Sequence, residues 1–364
     1  MNKISFRTSR LLIALLTFIT LTSTACLKNK DDDNYTYPNY VYYIAHVDSL
    51  GQLSSYDFPA LSRTNLTLDR LKDGRILMVH DSLHVYNPIS GVLTDITPIG
   101  SYSYLSSPAI DLSLDGKWLY FGGWGKIRRM NLGSYAYETL VDSTSMNFVR
   151  PRISKDGRYL CYLRSTDSSG YYSHSGGYPS VLDMFNHNIF SLSSGVASTD
   201  RGIKNAWVDH LQEAVYYNSS DNINKYLMRM NLDGTQRSVV PPYQVWSQQS
   251  FDGRFILGSV ENYVSTTLYY RDNLSMVWNV VSGISRNYAL ARGANFLFYS
   301  IGNKVYRLNL ETGERKTLIP GVINGKPYPG SALLAPGWDG KDLYLLTNYQ
   351  VQTDKTSSHP LELQ

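Results

Sequence analysis

Short runs of apolar, strand-favouring residues recur along the chain, each opened by an Asp-Gly pair. They are Asp73-Gly74-Arg75-Ile76-Leu77-Met78, Asp115-Gly116-Lys117-Trp118-Leu119-Tyr120, Asp156-Gly157-Arg158-Tyr159-Leu160-Cys161, Asp252-Gly253-Arg254-Phe255-Ile256-Leu257 and Asp339-Gly340-Lys341-Asp342-Leu343-Tyr344. Runs of this length after a turn signal predict β-strands. The pair itself predicts a tight hairpin, because Gly takes positive φ without strain and Asp bonds its own backbone two residues on. Two weaker copies, Val208–Tyr216 and Ala291–Phe298, fill the gaps. The anchors at 73, 115, 156, 209, 252, 292 and 339 are separated by 42, 41, 53, 43, 40 and 47 residues. That is the period of a propeller blade.

A second theme follows several anchors, in Val85–Gly91, Arg129–Gly133, Arg229–Gly234 and Arg307–Gly313: a strand ending in a polar-Gly turn. Two hairpins per period make four strands, and such a unit needs neighbours on both faces. The predicted fold is therefore all-β: one propeller over residues 39–364 with seven four-stranded blades, six or eight being the alternatives. The last repeat runs out before its second hairpin, whereas Val41–Gly51 followed by Leu53–Phe58 is a hairpin without a blade. The N-terminal strands are predicted to complete the last blade, which removes two open sheet edges.

The first residues follow a different pattern. Residues 1–10 hold Lys3, Arg7 and Arg10 and no acid, Leu11–Leu21 is an apolar run, and Thr22–Ala25 is small. This predicts a signal peptide over residues 1–25; the run is too short to span a bilayer, which takes about 20 apolar residues. Ser23-Thr24-Ala25-Cys26 resembles a bacterial lipoprotein box, which implies an acylated Cys26. The following Lys28–Asn34 with Asp31, Asp32 and Asp33 resembles the export tag of Bacteroidetes-type surface lipoproteins, and residues 26–38 read as a solvated tether. These resemblances imply an outer-membrane protein, lipid-anchored and exposed on the cell surface. Two cysteines leave no disulfide framework, and Cys161, between Leu160 and Tyr162, reads as a buried strand residue.

Composition adds little that the pattern lacks. At 43% hydrophobic and 18% charged the chain folds and is not disordered, and 30 Tyr favour strands and stacking surfaces. The formal charge is +4, and without the three leader cations it is +1, which recruits no nucleic acid. The Asp-Gly-Lys/Arg repeats resemble the WD40-like, TolB-type propeller repeats written Ser-Pro-Asp-Gly-Lys-x-Leu-Ala. The likeness covers nearly the whole mature chain; Leu114 and Lys155 stand where that family has Pro, and Phe251 precedes the Asp252-Gly253 pair. It implies a propeller and no particular activity.

In a propeller the innermost strands end around a central funnel, so residues just ahead of each hairpin are placed for ligands. Tyr104, Arg150, Arg152, Trp207, Trp246, Tyr288 and Trp338 lie there. Aromatic rings with two guanidiniums stack a sugar or peptide and fix a carboxylate. The alternative is that the rings wedge between blades and the arginines solvate a rim. A Gly/Ser/Tyr-rich insertion with Tyr171, Tyr172, His174 and Tyr178 has the composition of adaptable binding loops. No nucleophile elbow, phosphate loop, dinucleotide fingerprint or Cys/His cluster occurs, and on one strand His80 and His84 would lie about 13 Å apart, too far to share a metal unless an Asp81-Ser82 turn folds them together. No cofactor is expected.

The first expectation is a non-catalytic binding or scaffold propeller, for a protein partner of an outer-membrane uptake or secretion assembly or for an external glycan. A hydrolase or lyase acting on extracellular polysaccharide is the alternative. It requires two carboxylates, from Asp111, Asp183, Asp209, Glu213 or others, facing each other within about 10 Å. A TolB-like scaffold on the periplasmic side differs only in orientation.

Overall fold

Where Ser stands two residues ahead of the Asp-Gly pair, the hairpin closes on a side-chain bridge. Ser113 Oγ donates to Asp115 (2.5 Å), Ser154 to Asp156 (2.5 Å) and Ser250 to Asp252 (2.7 Å). The same hydroxyls accept from the N–H groups of Trp118, Tyr159 and Phe255, and the three Asp carboxylates accept from those of Lys117, Arg158 and Arg254. Gly116, Gly157 and Gly253 take φ of 75°, 75° and 78°. Each hairpin thus satisfies its own polar groups, and the strand beyond it is free to bury both faces.

The computed structural model describes residues 40–57, 66–79, 82–98, 110–123, 125–143, 147–165, 177–192, 203, 205–220, 225–240, 246–250, 252–261, 266–284, 288–319, 322–323, 326–327 and 333–350. Among them every regular element is a strand, and Tyr42–Tyr349 form one compact unit. Seven four-stranded antiparallel sheets follow in chain order, with innermost strands Thr67–Arg70, Ile110–Leu112, Asn147–Ile153, Ala206–Asp209, Trp246–Gln249, Tyr288–Leu290 and Leu333–Pro336 for blades 1 to 7. The sheets form the ring of a seven-bladed β-propeller. Blade 7 is composite: Leu333–Pro336 and Leu343–Gln350 are continued by Tyr40–Val47 and Leu53–Asp57, with Ile44 opposite Tyr56. The predicted closure is present.

The cores lie between blades. The strand Ile76–Val79 is buried throughout: Leu77 and Val79 pack with Leu119 and Phe121 of blade 2, while Ile76 and Met78 pack with Tyr344 and Leu346 of blade 7. Seven apolar clusters fill the seven interfaces, and the period-two alternation of each middle strand supplies both neighbours. Removing one such Leu costs about 2–5 kcal/mol. The closing interface also carries a polar latch. His46, on an N-terminal strand, bonds Asp342 at 3.1 Å, Arg70 of blade 1 approaches the same carboxylate at 3.5 Å, and both His46 and Arg70 stack on Tyr344 at 4.2 Å.

Candidate functional site

A ring with its cores between blades leaves its centre to whatever the innermost strands point inward. The cross-strand partners define one register position: Asp111 faces Tyr120, Arg152 faces Cys161, Trp207 faces Tyr216, Ala289 faces Phe298 and Ala335 faces Tyr344. Asp69, opposite Leu77, holds the same place ahead of a hairpin one residue shorter. Four consecutive blades therefore present Asp, Asp, Arg and Trp, while blades 6 and 7 present alanine. Around this layer lies a cavity of about 270 Å³, lined by residues from all seven blades.

Two further cations enter from the hairpins. Lys155 follows Ser154 and Arg292 follows Ala291, and each of those two residues donates its N–H to the carbonyl five residues on, Tyr159 and Phe296. Lys155 and Arg292 are therefore equivalent positions of blades 3 and 6. Arg292 spans the centre. Its Nε and Nη2 donate to Asp69 at 3.0 and 2.5 Å, and its Nη1 donates to Asp111 at 2.9 Å. Asp111 also accepts from the backbone N–H of Ile153 at 3.0 Å, and Arg152 Nη1 lies 3.7 Å away.

Burial raises the Asp111 carboxyl, but Arg292, Arg152 and Lys155 outweigh it and hold the group below the ordinary range. Burial likewise pulls Arg292 down, and Asp69 with Asp111 more than restore it, to above the ordinary value. Lys155 differs. Burial, with Arg292 and Arg152 close by, pulls its ammonium down to about 8 against the opposing pull of Asp111 and Asp69. Three cations facing two carboxylates leave the pocket with one excess positive charge.

Of the residues singled out from the sequence, Arg152, Trp207 and Tyr288 line this cavity. Trp207 stacks on Tyr216 at 5.6 Å, and Tyr288 donates its hydroxyl to Ser259 at 3.1 Å. Trp338 packs on the core between blades 1 and 2 and against Gly293, where an added Cβ meets its ring at 2.5 Å. Arg150 is half-buried with a left-handed φ of 55° in its strand. Tyr178 is exposed at the start of the strand Tyr178–Asp183. Trp246 opens an innermost strand, and Tyr104, Tyr171, Tyr172, His174 and Cys26 lie outside the described residues. Among the suggested carboxylates, Asp111 is central, Asp183 is buried against Arg158 (3.4 Å), and Asp209 accepts from Leu211 N within its hairpin, with Glu213 at its end. Asp69, Lys155 and Arg292 were not singled out as site residues. The visible signal was a cation in the hairpin slot where the resembled repeat has Pro. Cys161 is core, its thiol pushed up to about 12 by burial. Among the described residues no group of three or more His, Cys, Asp or Glu side chains is arranged to hold a metal.

Fold and site together define a seven-bladed β-propeller with an ion-paired central pocket. No protein-family profile matches the chain, and no curated protein sequence matches it. In fold it is similar to an oligogalacturonate lyase solved in complex with manganese (12% identity, TM-score 0.54, 85% of this chain and 97% of that one). It is also similar to a puromycin-hydrolyzing peptidase of Mycobacterium tuberculosis (14%, 0.51, 79% of this chain and 50% of that one). A weaker likeness joins it to a putative TolB of Agrobacterium tumefaciens (12%, 0.45, 86% and 100%). At such identities the likeness concerns the fold.

Proposed function

We propose that the protein is a binding propeller, held on the outer surface of the outer membrane through lipid on Cys26, which captures an external glycan in its central pocket without transforming it. The observation that supports this reading is the pocket: all seven blades line it, and it holds aromatic rings, amides and one unbalanced cation. Arg292 engages both carboxylates and holds Asp111 below the ordinary range, so Asp111 is not set up as a proton donor.

Capture of surface glycans by the tagged, lipidated protein, purified in mild detergent, tests this. Ala289→Phe, which fills the pocket, is expected to abolish capture while the thermal melt stays cooperative. A stoichiometric outer-membrane protein that co-purifies equally with both forms overturns the pocket reading in favour of an assembly subunit. Protease treatment of intact cells tests the location: digestion supports the cell surface, protection the periplasmic side.

A second reading, hydrolysis or elimination on extracellular polysaccharide, draws on one observation: Asp69 and Asp111 meet at a single guanidinium, well inside the about 10 Å that a carboxylate pair requires. New reducing ends or unsaturated products formed by the native protein, and lost in Asp111→Asn, would establish it.

A further inference from the structure

The excess charge of the pocket is not spread evenly. Arg292 has all three guanidinium nitrogens engaged, by Asp69, by Asp111 and by the Leu112 carbonyl. Arg152 makes one long approach to Asp111, and its side chain is 29% exposed. Lys155 has no carboxylate within ion-pair distance among the described residues, although Asp111 and Asp69 lie near enough to act on it through space. Both residues belong to blade 3, three positions apart. Next to them, on blade 4, Trp207 is 6% exposed and its indole Nε1 has no hydrogen-bond partner among the described residues. The amides of Asn205 and Gln249 line the same side, whereas the opposite wall, from Leu333, Leu334 and Pro336, is apolar.

We propose that Arg152 and Lys155 form a subsite for the single carboxylate of a sugar acid. This rests on the glycan-capture reading and names its substrate class. A monoanion matches one surplus charge; a dianion leaves one charge unmatched in a partly buried site. The guanidinium edge supplies a planar fork and the ammonium a point charge. Indole N–H and amide groups suit hydroxyls, and the cavity, about 270 Å³ and so just below the roughly 300–1,000 Å³ usual for small-molecule sites, suits one ring. Because the anion binds the charged form of Lys155, affinity falls as pH rises through about 8. The charged groups facing that ammonium are Asp69, Asp111, Arg152 and Arg292.

Isothermal titration of the full lipidated protein in detergent with glucuronate, glucose and acetyl-leucine tests the subsite. Glucuronate is expected to bind at least about tenfold more tightly than either other probe, and to lose about tenfold or more in Lys155→Met and in Arg152→Met. Lys155→Arg is expected to keep the affinity and flatten its decline between about pH 7 and about pH 9.5, which a merely structural role for Lys155 does not produce. Equal binding of glucose overturns the carboxylate subsite, and tighter binding of acetyl-leucine overturns the sugar class. Binding of none of the three overturns the inference, while glycan capture blocked by Ala289→Phe still supports the broader reading, so the two fail separately.

Discussion

Blades 3 and 6 place a cation at the same position of the same hairpin, and the two cations behave in opposite ways. Arg292 is driven above its ordinary pKa by two carboxylates that it holds, whereas Lys155 is pulled down to about 8 because burial and two guanidiniums outweigh the attraction of the same carboxylates. The repeat supplies the position, and the neighbours decide the chemistry. Arg292 fastens blade 6 to blades 1 and 2 across the centre, and Lys155 carries charge that nothing nearby matches. A pin and an unmatched charge have thus been made from one slot.

Removing the pin is the strongest way to break this contrast. Arg292→Met leaves Asp69 and Asp111 facing each other in a partly buried site, and is expected to cost about 3–5 kcal/mol in urea unfolding at neutral pH. An unchanged unfolding midpoint shows that the pin bears no stability. Lys155→Met is expected to act in the reverse direction. The folded chain disfavours the charged lysine, so its cost is fully present below about 8 and fades as pH rises toward the ordinary 10.5. The variant should gain roughly 1–3 kcal/mol at neutral pH, and progressively less in unfolding series run toward alkaline pH. A gain that does not change with pH rejects that origin.

Smaller effects sharpen the contrast at its edges. Gly293→Ala puts a methyl group against the Trp338 ring beside Arg292, and a loss of about 1–3 kcal/mol is expected on thermal unfolding. The latch at the ring closure gives the least. Burial raises the Asp342 carboxyl, but His46 and Arg70 hold it below its ordinary range, so its contribution is present above that range and lost as pH falls through the folded value. Asp342→Asn is expected to cost about 1 kcal/mol at neutral pH and nothing once the native carboxyl is protonated. Unfolding midpoints of the two proteins that fail to converge in acid count against it.

The hairpins were legible because their chemistry is local: Ser154, Asp156 and Gly157 satisfy one another within four residues. Closure was legible too, since an unpaired N-terminal hairpin and a last repeat without one complete each other. Arg152, Trp207 and Tyr288, marked by their position ahead of a hairpin, line the central cavity. Trp338 shows the limit of that rule. It lies two residues past its strand, and it turns onto a neighbouring core because Gly293 leaves room for the ring. Asp69 lies in the right place but in a polar stretch that reads as ordinary strand surface.

The chain by itself determined the class and the way the ring closes, and pointed to seven blades over six or eight, because a period near 40 residues and the Asp-Gly turn act over short distances. The tertiary structure alone decided which charges meet. Arg292 reaches Asp111 across 181 residues and Asp69 across 223, separations that no local pattern encodes. Closing the ring brings all seven innermost strands to one axis, and there burial and the mutual field of five charges turn equivalent repeat positions into different groups.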